Sequence, residues 1–286
     1  NLLIKNIYKM NYKVRIASKH PSHREMYNLG QLPKFKVRVR VRFGSTKDLR
    51  ACDIDFNTIE AINNTANKIV MKDKFLIADI DSPLYFENDE AGREAIKRGM
   101  LGEKIFFKIP FHSRGRVVYN TKEEALEQTA KGYFEQAQVS KREFRVHVMD
   151  GKVFCIDEKR PRDTSIRVED RPEIKNMDSG FKFRRPMKSY PPEVESESIK
   201  AVEALGLDFG AADVGLNDEG VWIYEVNTAP SLRTKTRKLY QKALVALIYK
   251  KILSQDVEKS VGELKEEVER LSRQYDNWLD EQPLTD

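Results

Sequence analysis

Three side chains with oxygen donors lie close together in the last third of the chain: Asp213, Glu225 and Asn227. They belong to two β-type runs, 210–216 and 221–227, joined by Asn217-Asp218-Glu219-Gly220, a hairpin signal. With a three-residue loop, Asp218-Glu219-Gly220, Asn217 pairs with Val221, and counting back sets Asp213 opposite Glu225. Side chains alternate along a strand, so Glu225 and Asn227 share a face and Asp213 meets them across the ladder. Such a trio suits a hard cation such as Mg²⁺, which keeps waters and phosphate oxygens as its other ligands. A two-residue loop shifts the register by one and sends Asp213 to the other face. The plain alternative is an acidic hairpin facing solvent.

Cationic candidates come earlier. The run Glu103–Pro110 is an expected strand with Lys108 inside apolar neighbours. A lysine there is costly unless its ammonium finds an anion or snorkels out at the strand end. In the following loop, Ser113, Arg114 and Gly115 could offer backbone N–H groups and a guanidinium to phosphate. Further on, 143–160 is an expected hairpin around Asp150-Gly151. Its first strand turns Glu143, Arg145 and His147 to one side, either solvated or lining a cleft. A lone strand histidine is more often structural than a base.

These residues need a scaffold, and length and composition allow one. The 286 residues are 40% hydrophobic and 34% charged, with a net charge of +6. That supports a sizeable core and a surface favouring anionic partners, nucleotides among them. Cys52 and Cys155 are far apart and fit a reducing, cytoplasmic setting. No stretch approaches the ~18 apolar residues of a membrane span, and no signal peptide is expected. The first residue is Asn1 rather than Met, so residues upstream are expected.

Strands are expected near 1–4 and 12–17, then a loop to Pro33. Residues 36–43 alternate strictly, giving one apolar and one basic face. The basic face suits an anion or a nucleic-acid backbone. Without interleaved aromatics for stacking, a solvated face that deters edge pairing is preferred. A helical pattern begins at Thr58, runs on through Ala78 and stops before Pro83. Helices follow over 88–98, over 121–130 with a Thr121/Glu124 capping box, over 193–205 and over 238–253. A strand is expected at 132–138. The Pro- and Arg-rich span 161–192 reads as a lid or substrate loop. From Val257 to Trp278 apolar residues alternate four and three apart, a heptad helix for self-association or for packing on the body.

Over residues 57–240 the order of these parts resembles an ATP-grasp protein, similar to carboxylate–amine ligases of the glutathione-synthetase and ribosomal-protein-glutamate-ligase kind. The resemblance implies an α+β fold, two α+β subdomains clasping ATP. It places a short N-terminal α/β region at 1–57, the small subdomain at 58–138, the C-terminal subdomain at 139–253 and a helical tail at 254–286. Lys68 and Lys108 match the nucleotide-binding lysines. Ser113, Arg114 and Gly115 fall in the loop over the γ-phosphate. Glu135, Gln136 and Ala137 fall at the hinge whose backbone reads adenine, and Glu143 at the ribose. Arg145, Lys159 and Arg160 match basic residues that meet phosphates or the acyl intermediate, the catalytic set. Asp213, Glu225 and Asn227 match ligands for two Mg²⁺ ions, or Mn²⁺. The implied activity joins a carboxylate to an amine through an acylphosphate, releasing ADP and phosphate. Departures from the family are a single glycine in the phosphate loop, a short N-terminal region, and no arginine just before Asp213, for which Arg160 or Arg233 would substitute. The alternatives are a kinase without ligation, and a basic nucleic-acid-binding or scaffold protein with a non-catalytic ATP site.

Overall fold

Alternating β-branched and aromatic runs build three separate sheets, and helices pack against the two larger ones. The computed structural model describes residues 13–18, 38–47, 51–52, 54–111, 118–165 and 180–256, with 270 and 273. The expected strand at 1–4, the loop residues Ser113, Arg114 and Gly115, and nearly all of the 257–278 heptad lie outside the described residues.

The first sheet is parallel, in the order β1 (Lys13–Ser18), β2 (Arg38–Phe43), β3 (Ile54–Phe56). Its alternation is as expected, but the two described arginine side chains of the basic face are not solvated. Arg40 is 5% exposed and Arg42 0%. Asp55, on the neighbouring strand, accepts from Arg40 Nη1 and Arg42 Nε at 3.2 Å each. Arg42 Nη1 also donates to Lys47 O at 2.7 Å. Buried guanidiniums persist only with such partners. Asn57, at φ 55°, then ties this sheet to the largest one: its Nδ2 donates to Phe209 O and its Oδ1 accepts from Asp208 N, each at 2.9 Å.

The single helical stretch expected from Thr58 is two helices, α1 (Ile59–Ala66) and α2 (Lys68–Ile77). Asn67 is extended (φ −84°, ψ 109°) and its side chain accepts from Ile69 N, capping α2. Asparagine favours this role because its short carboxamide competes for backbone donors. The apolar periodicity runs through the break, which hides it. The break makes Lys68 the first residue of α2.

The second sheet comes from β4 (Tyr85–Glu87), α3 (Glu90–Lys97), β5 (Lys104–Lys108), β6 (Val118–Thr121), α4 (Lys122–Leu126) and β7 (Tyr133–Gln136). It is antiparallel, in the order β4-β7-β5-β6. The Thr121/Glu124 capping box is present, although α4 is shorter than its pattern suggests. Ile105, Phe107 and Phe134 pack beneath α3 and α4 with Ile96 and Ala125.

The third sheet is antiparallel, in the order β10-β9-β8-β11-β12. Its members are β8 (Arg142–Met149), β9 (Lys152–Pro161), β10 (Phe181–Arg184), β11 (Phe209–Leu216) and β12 (Val221–Asn227), with α5 (Glu193–Ala204) before β11 and α6 (Thr234–Asp256) after β12. The β8–β9 turn has positive φ at both central residues, Asp150 (52°) and Gly151 (70°), as the Asp-Gly pair predicts. β10 is a strand inside the span expected to be irregular. Phe144, Val146, Val148, Val214 and Ile223 face the core formed with Met71 and Phe75 of α2 and with Ala201 and Val202 of α5. The opposite face is polar. Tyr240, Leu244 and Leu247 of α6 close the far end of that face against the first sheet. Among the described residues, no helix is long and apolar enough to cross a membrane.

Candidate functional site

The hairpin that should gather the three oxygen donors does so by a different route. Leu216, not Asn217, pairs with Val221, leaving a four-residue loop. Asn217 N bonds Gly220 O, and Asn217 Oδ1 accepts from Glu219 N. The loop is thus one residue longer than expected, which alone would set Asp213 opposite Tyr224. A bulge at Tyr224 inserts one residue into β12 and restores Asp213 opposite Glu225. Tyr224 reaches sideways to donate to Gln138 O at 2.8 Å. Asn227 Nδ2 lies 3.1 Å from Glu225 Oε1 and 3.4 Å from Asp213 Oδ2, so the three side chains converge.

Arg145 on β8 faces Asp213 across the ladder. It donates through Nε and Nη2 to both carboxylate oxygens at 2.8 Å each. Its guanidinium also lies 4.5 Å from the centre of the Phe183 ring. Lys159 donates to Glu143 Oε2 at 3.1 Å and stands 4.0 Å from Asp213. Burial works against the charge on Lys159, but Asp213 and Glu143 outweigh it and raise its pKa. The other oxygen of Glu143 accepts from Ser140. Phe183 is a residue that sequence reasoning missed, because β10 is short and lies among prolines and arginines.

α2 supplies lysines one turn apart. Lys68 Nζ is 3.0 Å from Glu225 Oε2, and Lys72 Nζ is 3.0 Å from Glu135 Oε2. Lys108 ends on the other oxygen of the same glutamate. Burial pushes the Glu135 carboxyl up, yet Lys108 and Lys72 together hold it below the usual range. Burial likewise opposes the Glu225 charge, and Lys68, Asn227 and Arg145 overcome it, holding that carboxyl far below its ordinary value. Lys72 went unnoticed in the sequence. Its i, i+4 spacing from Lys68 was the available signal.

Arg160 and the hinge stand differently from expectation, and His147 takes the structural role preferred for it. Arg160 is next to Lys159, so alternation sends it to the opposite face. There it pairs with Glu158, at 2.7 Å, and Arg142 shares that carboxylate. The expected adenine hinge has its donors engaged: Gln136 N bonds Leu84 O and Ala137 N bonds Lys104 O. Glu135 points inward as a side chain. His147 is on the site face but buried under α6, its Nδ1 2.9 Å from the Tyr240 hydroxyl. Burial, then Arg145, Arg185 and Arg233, drive its pKa well below the ordinary value, so it stays neutral. His147, Cys155 and Asp157 bring ligand atoms within 4.8 Å of one another. Arg185 already donates to Cys155 Sγ and to Asp157, and Arg233 also holds Asp157. Two guanidiniums leave that group no surplus negative charge for a cation.

The arrangement is a polar sheet face in which each carboxylate is matched by a nearby cation. Its donor set fits a divalent cation: two carboxylates meet, and the Asn227 amide, turned over, completes an all-oxygen trio. Asp213 keeps lone pairs beyond those used by Arg145. The lysines around it suit a polyanion such as a nucleotide phosphate chain.

No family model matches the chain, and no curated protein matches it. Solved structures do. The ATP-grasp ligase PsnB complexed with a minimal precursor is 13% identical, with a TM-score of 0.59, covering 83% of this chain and 99% of that one. D-alanine–D-alanine ligase from Bacillus anthracis complexed with ATP is 16% identical, with a TM-score of 0.56, covering 84% and 97%. A RimK domain ATP-grasp protein from Sphaerobacter thermophilus DSM 20745 is 13% identical, with a TM-score of 0.57, covering 82% and 97%. At such identities the likeness is one of fold.

Proposed function

We propose, from the premise that this chain has the ATP-grasp fold, that it is an ATP-dependent carboxylate–amine ligase. The observation that carries the reading is the convergence of Asp213, Glu225 and Asn227 beneath Lys68, with Lys159 on β9 of the same sheet and Lys108 on β5 of the second sheet. Relatives of the same fold are named as ligases, and one was solved with ATP.

In this reading Lys68 and Lys108 leave their glutamates for the phosphate oxygens of ATP. Glu225, Asn227 and Asp213 would hold Mg²⁺ or Mn²⁺, which offsets charge between the β- and γ-phosphates. A substrate carboxylate oxygen attacks the γ-phosphorus; that O–P bond forms, the bridging P–O bond to ADP breaks, and an acylphosphate results. The amine nitrogen then attacks the acyl carbon, the C–O bond to phosphate breaks, and the amine gives up a proton as the amide forms. Lys159, charged and nearly enclosed, and Arg145 supply fixed positive potential where these oxyanions develop. Arg233 is the better-placed of the two substitutes for the family's oxyanion arginine, because Arg160 lies on the opposite face. Glu143 serves the ribose. The Gln136–Ala137 segment reads adenine through groups other than the two N–H donors already engaged.

The basic-strand alternative loses support from the burial of Arg40 and Arg42. The test is ATP turnover with Mg²⁺ across pools of amino acids, peptides and small carboxylates, reading ADP and free phosphate separately. Both products, dependent on an acid and an amine together, support the ligase. ADP with phosphate retained on the substrate makes it a kinase.

A further inference from the structure

Two lysines end on one buried carboxylate, where a single lysine would neutralise it. Lys108 donates to Glu135 Oε1, and Lys72 lies 3.0 Å from Oε2. The side chains of Lys72 and Glu135 are 1% and 3% exposed, whereas Lys108 is 16% exposed. Burying a second ammonium beside an already paired glutamate is costly, and burial lowers the pKa of Lys72 accordingly. The two lysines differ in freedom. Lys72 is fixed on α2, whose Met71 and Phe75 are packed in the core. Lys108 is at the end of β5, with its ammonium over the Phe106 ring and its side chain partly open to solvent.

We propose that Lys72 is a positioning residue, the reserve partner of Glu135 that lets Lys108 leave for a nucleotide phosphate. The proposal rests on the reading that Lys108 serves the nucleotide. When Lys108 turns to the phosphates, Glu135 would be left as a lone buried charge, a state that pulls Lys108 back. Lys72 keeps the carboxylate paired, so Lys108 moves at little cost. In the nucleotide-free protein Lys72 is surplus, which explains why so unfavourable a burial accompanies an intact Lys108–Glu135 pair.

A reserve partner and a structural ion pair differ in what removal does. Lys72→Met leaves Lys108 on Glu135 and replaces a buried charge with apolar volume, so the free protein keeps its stability while nucleotide affinity falls. Removing the glutamate charge as well, in Lys72→Met/Glu135→Gln, frees Lys108 and restores affinity. The experiment is calorimetric titration of Mg²⁺–ADP into the full chain and the three variants, with urea unfolding midpoints measured alongside. We expect Lys72→Met to bind about tenfold more weakly or worse, with an unlowered midpoint. The double variant should bind within about threefold of Glu135→Gln. Wild-type affinity in Lys72→Met overturns the proposal. So does a loss of affinity that follows a loss of stability and is not recovered in the double variant. Absence of Mg²⁺–ADP binding by the unaltered chain would instead overturn the nucleotide reading itself, and the proposal with it.

Discussion

Arg145 grips both oxygens of Asp213, at 2.8 Å each, while its guanidinium lies 4.5 Å over the Phe183 ring. The family resemblance put Arg145 on phosphates or the acyl intermediate; the geometry makes it first the residue that orients Asp213. Both groups are largely removed from water, so a point charge cannot replace the planar fork. Arg145→Lys should therefore destabilise the fold by about 3 kcal/mol, the range for breaking a buried pair. Urea denaturation measures it, and an unchanged midpoint would show that Asp213 needs no such partner.

Arg160→Ala should leave ATP turnover within about threefold of the unaltered chain, because alternation sets Arg160 and Lys159 on opposite faces. Lys159→Ala should reduce it by about two orders of magnitude, the scale for losing one charge aimed at a developing oxyanion. Steady-state kinetics on the pair checks this; equal losses would mean that the two faces are not functionally distinct.

Acid should weaken the protein through its paired carboxyls. Burial opposes the charge of Glu135 and Glu225, but their lysines win and both folded pKa values lie below the ordinary 4.5. Depressed carboxyls bind fewer protons when folded than when unfolded. Their contribution is therefore fully present above about pH 4.5 and is lost as pH falls through the folded values. The thermal midpoint should begin to drop as pH falls below about 4.5 and go on dropping in stronger acid, and Glu135→Gln should flatten that drop. An equally steep profile in the variant would contradict the assignment.

Gly132 backs the strand that carries Lys108. A Cβ there would lie 2.4 Å from Phe107 Cζ and 2.6 Å from the Lys108 carbonyl oxygen. A ring in a packed core and a backbone atom cannot both give way, so β5 must shift. Gly132→Ala should cost about 1–3 kcal/mol and weaken Mg²⁺–ADP binding, read by denaturation and calorimetry together. Retained affinity would mean that the position of Lys108 is not critical.

Much of this was legible in the residues. The Asp-Gly turn fixes the β8–β9 hairpin because few residue pairs accept positive φ twice. The alternation of 143–148 named the polar face correctly. The pairing of Asp213 with Glu225 was also anticipated, though from a loop one residue too short and a strand without its bulge, two errors of one residue that cancel. A bulge has no composition of its own, so Tyr224 looks like any strand residue. The break at Asn67 was hidden because apolar spacing continues through it. The buried arginines of β2 were misread since the decisive partner, Asp55, becomes a neighbour only when the parallel sheet forms. Lys72 escaped for the same reason: its partner is over sixty residues away.

The most direct test of the account is calorimetric titration of Mg²⁺–ADP into the unaltered chain and into Glu225→Gln. Glu225 is held by Lys68 and Asn227 in the free protein, and the account gives it to the cation when nucleotide arrives. The unaltered chain should bind, and the variant should bind about a hundredfold more weakly while remaining folded. Equal affinities, or no binding by the unaltered chain, would contradict the nucleotide site at its centre.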